Sequence, residues 1–513
     1  MTQDYSVTER SSAAISRRGL LKGAGGFMML SALSGGFRSA LASEQFDLIV
    51  LGGGTAGIPA AIFAAQRGAR VLVVEKATRL GGTLFVSGGR LAAANTVFQQ
   101  RLGIKDSADA FYDDVMRINN NTSDPALTRL WAEHSGETVN WLASKGFDIN
   151  DGQPVYAGSG YDPYTTRRYQ WGPRNGLSIL SVMEPILSGL VESERVEVLL
   201  GAGAVDLIKN RKGEVTGVVT EDEDGKRSDL LARNVLIASG GCAANATMFE
   251  NLHGVPLYSR VAYRTSQGAG LMLGLGAGGY LRGAENYLSY FGSILADDRI
   301  PSGMTASMSI NPEARPPWEL FINARGERFV QEDHPSLSHK ERALGLQPGH
   351  RFWAVFDQEI LDHAPPLVPD LPKTQLLRMF DTHPMFARAS TLSELGVLAE
   401  LNPAGLEQSV NTYNAAIKTK AADQFGRTHR PRPILKAPFY AIRSQGWTLK
   451  SFAGLAVNNR LQVIDEEHRP IGNLYAAGEV LGAATSGNAY TNGGSVTPAV
   501  TFGRLLGKSL IPV

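Results

Sequence analysis

Short apolar runs that end abruptly on glycine set the pattern of this chain. Phe46–Leu51 (FDLIVL) reads as a buried strand of a parallel sheet, where both faces are covered and polar alternation is lost. Residues 52–57 (GGGTAG) interrupt it, a helical stretch follows to Arg67, and Gly68 stops that helix. A second strand at 71–74 ends on Glu75. Val196–Leu200 and 215–220, with a charged turn at 221–226, read as strands of a smaller sheet. Another strand at 235–238 runs into Ser239-Gly240-Gly241. The last strand, 473–477, delivers Gly478-Glu479 ahead of a helix that begins near Gly493-Gly494-Ser495. Between about 280 and 438 the composition shifts toward Pro, Trp and His, which marks an inserted domain.

The first βαβ unit carries a phosphate-binding fingerprint. Gly52 permits a tight turn, Gly54 lets the backbone approach a pyrophosphate, and Gly57 lets helix pack on strand. The N–H groups that open the helix then face the phosphates. Glu75, 23 residues beyond Gly52, is placed to accept hydrogen bonds from a ribose and disfavours a 2′-phosphate. A second glycine-rich stretch follows at once, Leu80-Gly81-Gly82-Thr83 and Ser87-Gly88-Gly89. A bound NAD needs no such loop, whereas an FAD extended through the protein does. The expected cofactor is therefore FAD.

Composition adds mainly exclusions. A chain of 513 residues has room for two or three domains, or for one large domain with an insertion. Hydrophobic residues at 43% and charged ones at 19% describe an ordinary globular protein, and a net charge of +1 gives no field to attract nucleic acid. Cys242 is the one cysteine, which excludes an internal disulfide and any cysteine-built metal site; beside Gly240 and Gly241 it reads as a packing residue. The nine histidines show no HExxH pattern, and no metal is expected. At the N-terminus Arg17-Arg18 precede a mildly apolar stretch at 23–33 and an Ala40-Leu41-Ala42 cleavage pattern. That segment, 1–42, resembles a twin-arginine export signal. Its apolar part is too short to span a bilayer, so a periplasmic protein without stable membrane insertion after processing is expected.

In order and spacing, residues 52–57 with Glu75, Leu80-Gly81-Gly82-Thr83, 238–241, 322–332 (INARGERFVQE), 475–479 (YAAGE) and 493–507 resemble the fumarate reductase/succinate dehydrogenase flavoprotein superfamily. The resemblance implies an α/β fold, a Rossmann-like FAD-binding domain (43–279 and 439–513) interrupted by an inserted α+β capping domain (280–438). It implies that Glu479 holds the ribityl chain and that N–H groups around Gly494, Ser495 and Val496 meet the pyrimidine edge of the flavin. The residues expected to contact FAD are Gly52, Gly54, Thr55, Ala56, Gly57, Glu75, Lys76, Gly82, Thr83, Ser87, Gly88, Gly89, Val205, Ser239, Gly240, Glu479, Ser495 and Val496. No histidine stands in 83–89, so the FAD is expected to be noncovalent. Thr491 stands where fumarate reductases carry a carboxylate-clamping arginine, Ser336 lies nearest the place of their proton-donating arginine, and Leu449 corresponds to a family histidine. Losing both arginines removes the bidentate grip a dicarboxylate needs, which argues against a fumarate reductase.

Tyr490-Thr491-Asn492-Gly493-Gly494 is instead similar to the C-terminal motif of 3-ketosteroid dehydrogenases. Carried over, Tyr490 O–H and Gly494 N–H form a two-donor oxyanion hole for an enolate. The tyrosine those enzymes carry after RFxxE is absent; His334 and Ser336 occupy the window, and Tyr287 or Tyr290 is a candidate replacement. Tyr156, Tyr161, Tyr164, Tyr169 and Trp171 fall within one Gly- and Pro-containing loop, which reads either as the wall of a ring-accepting pocket or as a self-packed surface loop. The expected activity is oxidation or reduction of a CH–CH bond beside a carbonyl, in a cyclic or steroid-like ketone. Electrons would pass to an external acceptor, a cytochrome, quinone or dye. Two alternatives stand: a reductase of an unsaturated carboxylic acid that uses cap cations such as Arg342 or Arg378, and an exported flavin-binding electron carrier with no substrate of its own.

Overall fold

The structure is a computed structural model that describes residues 45–158 and 160–511. The expected export signal lies outside the described residues. From Gln45 onward the chain forms one compact unit built on two sheets. Strands β1 (Phe46–Leu51), β2 (Val71–Glu75) and β3 (Val196–Leu200) run parallel, followed by the hairpin strands β4 (Ala202–Lys209), β5 (Val215–Asp222) and β6 (Arg227–Ile237). A smaller antiparallel sheet then intervenes, β7 (Leu320–Ile322), β8 (Arg351–Asp357), β9 (Phe386–Ala389) and β10 (Phe439–Gln445), in the order β7-β8-β10-β9. The chain returns through β11 (Gln462–Ile464) and β12 (Pro470–Ala476) to complete an eight-stranded sheet of spatial order β11-β12-β6-β1-β2-β3, from which β5 and β4 branch off β6.

Why these segments are strands follows from burial. β1 has five of its six residues buried and β2 all five, so the near-continuous apolar runs face protein on both sides. Leu48 is in register with Val71 on one side and Asn234 on the other, and Leu474 with Val235 beyond. Helix α1 (Gly57–Gln66) is buried at nine of its ten positions. It lies between the sheet and the C-terminal helix α3 (Val496–Ser509). A Cβ on Gly503 would stand 2.0 Å from Ala56 O, and one on Gly507 2.4 Å from Ala60 O, so glycine is what lets these helices approach.

The smaller sheet and its helices, among them α2 (Leu337–Gly345), have their own core, with Phe291 stacked on Phe352 at 4.1 Å and Phe321 edge-on to Phe352 at 5.1 Å. Arg282 and Leu281 pair antiparallel with Gly454 and Leu455, so the chain enters and leaves this region side by side. Because β10 is fully paired with β8, the smaller sheet reaches to Gln445. The fold is thus α/β, a Rossmann-like domain interrupted by an α+β insertion. The RFxxE segment earns its place here: Arg328 donates to Glu332 at 2.8 and 2.6 Å and to Asp423 at 2.8 and 3.1 Å, all buried, with Arg427 Nη1 3.5 Å from Glu332. Removing one member of such a cluster strands the opposite charge in the core. Glu332→Ala is therefore expected to destabilise the protein by roughly 3–5 kcal/mol in chemical denaturation; a loss below about 1 kcal/mol would show that the cluster is not what holds this region.

Candidate functional site

At the end of β1 the chain turns sharply because Gly52 has φ +107°, and its N–H donates to Val74 O at 2.8 Å. A Cβ there would lie 2.5 Å from Ala238 O, and one on Gly57 1.9 Å from Gly52 O. Glu75, at the end of β2, accepts the N–H of Gly53 on Oε2 and that of Ala77 on Oε1, both at 2.8 Å. Each oxygen keeps a lone pair, the arrangement that two ribose hydroxyls require. The hydroxyls of Thr55 and Thr83 meet at 3.2 Å and join the two glycine loops, while Gly81 N–H donates to Gly53 O at 2.7 Å. Ser87 Oγ accepts the N–H of Gly89 at 3.1 Å, and Gly88 lies against Arg90. Gly54 differs from its neighbours: the nearest atom to a Cβ there is Gly82 Cα at 3.8 Å, so the direction is open.

Further around the cradle, Ser239 Oγ is buried with no hydrogen-bond partner among the described residues, and Gly240 adopts φ +78°. Val205 sits where the β4–β5 register shifts between Ala204 and Asp206, a bulge that takes its backbone out of the ladder, whereas the Lys76 side chain is exposed. A Cβ on Gly241 would lie 1.9 Å from Ser451 Oγ and 2.7 Å from Glu479 Oε1. Glu479 accepts the Ser451 N–H at 3.1 Å; burial raises its carboxyl above the usual range, against the pull of Ser451 and Lys450. Lys450 Nζ donates to Ser486 Oγ at 2.9 Å and to Ser495 Oγ at 3.4 Å, and burial pushes its ammonium down to about 8. Ser495 and Val496 open α3, where the first N–H groups lack partners within the helix. An unfilled hydroxyl, an open direction at Gly54 and an acid set back among hydrogen-bond donors all fit a dinucleotide such as FAD. Cys242 is buried, and burial raises its thiol to about 11, the behaviour of a packing residue.

Beyond Glu479 stands a cluster of tyrosines. Tyr490 stacks on Tyr161 (4.2 Å, 29°), meets Tyr290 edge-on at 6.2 Å and shares a hydrogen bond with Tyr169. Tyr290 packs on Trp447 at 4.8 Å, while Tyr287 lies against Phe249, His350 and Phe452. The loop that supplies Tyr161 and Tyr169 is anchored from below: Arg168, fully buried, donates twice to Asp106 at 2.7 Å and also pairs with Asp114. Asn492 binds the loop to the C-terminal motif, accepting from Gly158 N–H at 2.9 Å, donating to Asp162 O at 3.2 Å, and receiving the Tyr164 hydroxyl on its carbonyl. Tyr164 and Tyr169 are buried and Tyr161 half-buried, while Tyr156 is exposed. Arg90 lies 3.7 Å over the Trp171 ring, and its buried Nη1 has no hydrogen-bond partner among the described residues.

Two expected site residues are engaged differently from the sequence reading. Gly494 N–H donates to Thr491 O at 2.8 Å, closing a turn around Gly493 at φ +75°, so it is not a free donor beside Tyr490. Ser336 caps α2: its Oγ accepts the His339 N–H at 3.1 Å and donates to Asp162 at 2.8 Å. The same helix brings in a residue that sequence reasoning passed over, Glu341, whose Oε1 accepts the Tyr161 hydroxyl at 3.1 Å. Within SHKERALG it looks like surface charge. It shares a helical face with Leu337 and Leu344, and that spacing was the available signal. Lys450, beside Leu449, was missed for want of any pattern at all. Arg342 is half-buried, its Nη1 without a hydrogen-bond partner among the described residues, and Arg378 is exposed.

A family model described as an FAD binding domain matches residues 47–496. NADH:fumarate oxidoreductase of Klebsiella pneumoniae (strain 342) is 28% identical over 91% of this chain, which spans 48% of that protein's length. The 4-oxocyclohexanecarboxylate 2-dehydrogenase of Sinomonas cyclohexanicum is 25% identical, the match covering 91% of this chain and 93% of that one. Among solved structures, 3-ketosteroid Δ1-dehydrogenase from Sterolibacterium denitrificans, in complex with 1,4-androstadiene-3,17-dione, superposes with a TM-score of 0.67 at 20% identity, covering 91% of this chain and 99% of that one.

The contrast between two glycines separates cofactor binding from folding. Gly54→Val places a Cβ no nearer than 3.8 Å to Gly82 Cα, so the purified protein should fold with the thermal stability of flavin-stripped wild-type protein yet lack flavin absorbance. Gly57→Val drives a Cβ into Gly52 O and should melt below flavin-stripped wild-type protein. Yellow Gly54→Val protein would show that the cofactor does not pass there.

Proposed function

Since the chain belongs to the FAD-binding family of the fumarate reductase/succinate dehydrogenase flavoproteins and is an FAD-dependent oxidoreductase of CH–CH bonds, we propose that its substrate is a cyclic ketone, acted on at the bond beside the carbonyl. The observation that carries this reading is Tyr490, a half-buried phenol held by the rings of Tyr161 and Tyr290 and by Tyr169 in a wall of aromatic surface. Bound FAD supplies a two-electron hydride acceptor or donor. The residues of the chain would do the rest. Residues 52–57, Glu75 and Glu479 hold the cofactor noncovalently, since 83–89 offers no histidine for a link. Tyr490 directs its hydroxyl at the substrate carbonyl and stabilises the oxygen as negative charge develops there. Gly494 joins it as a second donor only if the Thr491 turn opens. Flat apolar rings take up the carbocycle, and the insertion (about 280–438) caps the pocket and excludes water.

The Sinomonas relative is named for a ketone that also bears a carboxylate, and Arg90, stacked on Trp171, has a buried Nη1 without a hydrogen-bond partner among the described residues to offer such a group. The same observation supports a second reading, reduction of an unsaturated carboxylic acid with Arg90 or Arg342 in place of the missing clamp. Export by Arg17-Arg18 and electron delivery to a cytochrome or quinone complete the proposal.

Anaerobic protein should be bleached by 4-oxocyclohexanecarboxylate or a 3-ketosteroid; bleached protein reoxidised instead by urocanate or acrylate would favour the second reading. Tyr490→Phe should keep the fold and the FAD and lose on the order of a hundredfold in flavin reduction, with little change in substrate binding. A near-wild-type rate would return Tyr490 to simple packing. Acid precipitation should leave the flavin in the supernatant. Arg17→Lys with Arg18→Lys should retain active enzyme in the cytoplasm, and periplasmic activity equal to wild type would refute the export reading.

A further inference from the structure

We infer that Glu341 is the proton-holding partner of this site, exchanging a proton with the substrate carbon through the hydroxyl of Tyr161. The inference rests on the reading above that Tyr490 faces the substrate carbonyl.

Glu341 is only 1% exposed, on the inner face of α2. Its Oε1 accepts the Tyr161 hydroxyl at 3.1 Å, and its Oε2 is buried without a hydrogen bond among the described residues. A buried carboxyl needs a partner or a proton. None of the neighbouring cations forms an ion pair with it among the described residues: Lys340, on the same helix, turns its Nζ to Ile310 O at 2.8 Å and Glu332 O at 3.4 Å. Burial lifts the Glu341 carboxyl to about 8, against the pull of the Tyr161 hydroxyl, Arg342, the nearby Phe291 N–H and Lys340. Near neutrality the group therefore takes up and releases a proton at small cost. Burial, then Glu341, Tyr290 and Tyr490, hold the Tyr161 phenol well above its ordinary range, so it ionises only if another group takes its proton. Tyr161 stacks on Tyr490 and is half-buried, which places it between the carboxyl and the substrate space.

In the oxidative direction the C–H bond beside the carbonyl breaks and its electrons move to the carbonyl oxygen at Tyr490. The proton bonds to Tyr161 oxygen while the Tyr161 proton crosses to Glu341 Oε1, leaving a neutral carboxyl. In the reductive direction the same transfers run backward. The insertion thereby contributes the acid–base group and the FAD-binding domain the electrophile.

FAD-loaded wild-type protein, Glu341→Gln and Tyr161→Phe would be compared by infrared difference titration from about pH 6 to about pH 10 and by the pH dependence of bleaching with 4-oxocyclohexanecarboxylate or a 3-ketosteroid. Wild-type protein should show a protonated-carboxyl band that titrates near 8, is absent in Glu341→Gln and shifts in Tyr161→Phe. Bleaching should rise with pH through that midpoint, because oxidation needs the ionised carboxylate. Glutamine still accepts the Tyr161 hydrogen bond but cannot exchange a proton, so Glu341→Gln should bleach at least tenfold more slowly with a flat pH profile and an unchanged KM. A merely structural Glu341 would leave the profile in place. Absence of the band at every pH, or a wild-type profile in Glu341→Gln while Tyr490→Phe remains slow, would overturn the relay and leave the ketone reading standing. A wild-type rate in Tyr490→Phe with a flattened Glu341→Gln would overturn the ketone reading and, with it, the carbonyl step of the relay, while showing that Glu341 exchanges a proton in the reaction.

Discussion

The close crossing of three backbone segments at the end of β1 is the constraint on which the rest depends. Gly52 turns at positive φ directly under Ala238, Gly57 enters its helix against Gly52 O, and Gly503 of the last helix presses on Ala56 O. At separations of 1.9 to 2.5 Å from a would-be Cβ, no side chain has room. This crossing joins the first strand, the strand that precedes the insertion and the C-terminal helix. It therefore aligns the first glycine loop with Glu75 on one side and with Ser495 on the other, and leaves the Gly54 direction open.

Polar burial organises the second half of the molecule. The insertion secures its core with Arg328, Glu332, Asp423 and Arg427, each charge answered by another. Arg168 with Asp106 and Asp114 does the same beneath the aromatic loop. Such clusters are rigid because an unmatched member would be left charged in a low-dielectric interior. Rigidity is what a site made of phenol rings needs, since stacking alone leaves rings free to slide. Glu341 is the exception, a buried acid that forms no ion pair among the described residues and accepts the Tyr161 hydroxyl.

That exception lies where the parts of the fold meet. α2 comes from the insertion, Tyr161 from the loop on Arg168, and Tyr490 from the turn before α3. Asn492 holds loop and turn together through both its side chain and its carbonyl. The helix cap at Ser336 reaches Asp162 of the same loop, and Leu337 N–H donates to Gly160 O at 2.7 Å. Motion of the insertion would thus break the Glu341–Tyr161 contact and the cap contact together.

Local sequence was enough wherever a residue acts through its own backbone. The glycine loops, the apolar runs of β1 and β2, the acid ending β2 and the Gly478-Glu479 strand end could all be read directly, because turn geometry and burial act on neighbours in the chain. The α/β class and the insertion followed from the order of those pieces. What local pattern could not supply was pairing across 180 or more residues. Tyr161 and Glu341 are 180 positions apart and Gly158 and Asn492 334, so their partnership exists only in the folded chain. Two short-range contacts were not legible either: Gly494 N–H is taken by Thr491 O in a turn the motif does not announce, and Ser336 caps its own helix through the His339 N–H while reaching Asp162 across the fold. Lys340 and Glu341 drew no sequence reading, because sequence records polarity and not depth; only packing decided that both are buried, and that Glu341 meets the Tyr161 hydroxyl.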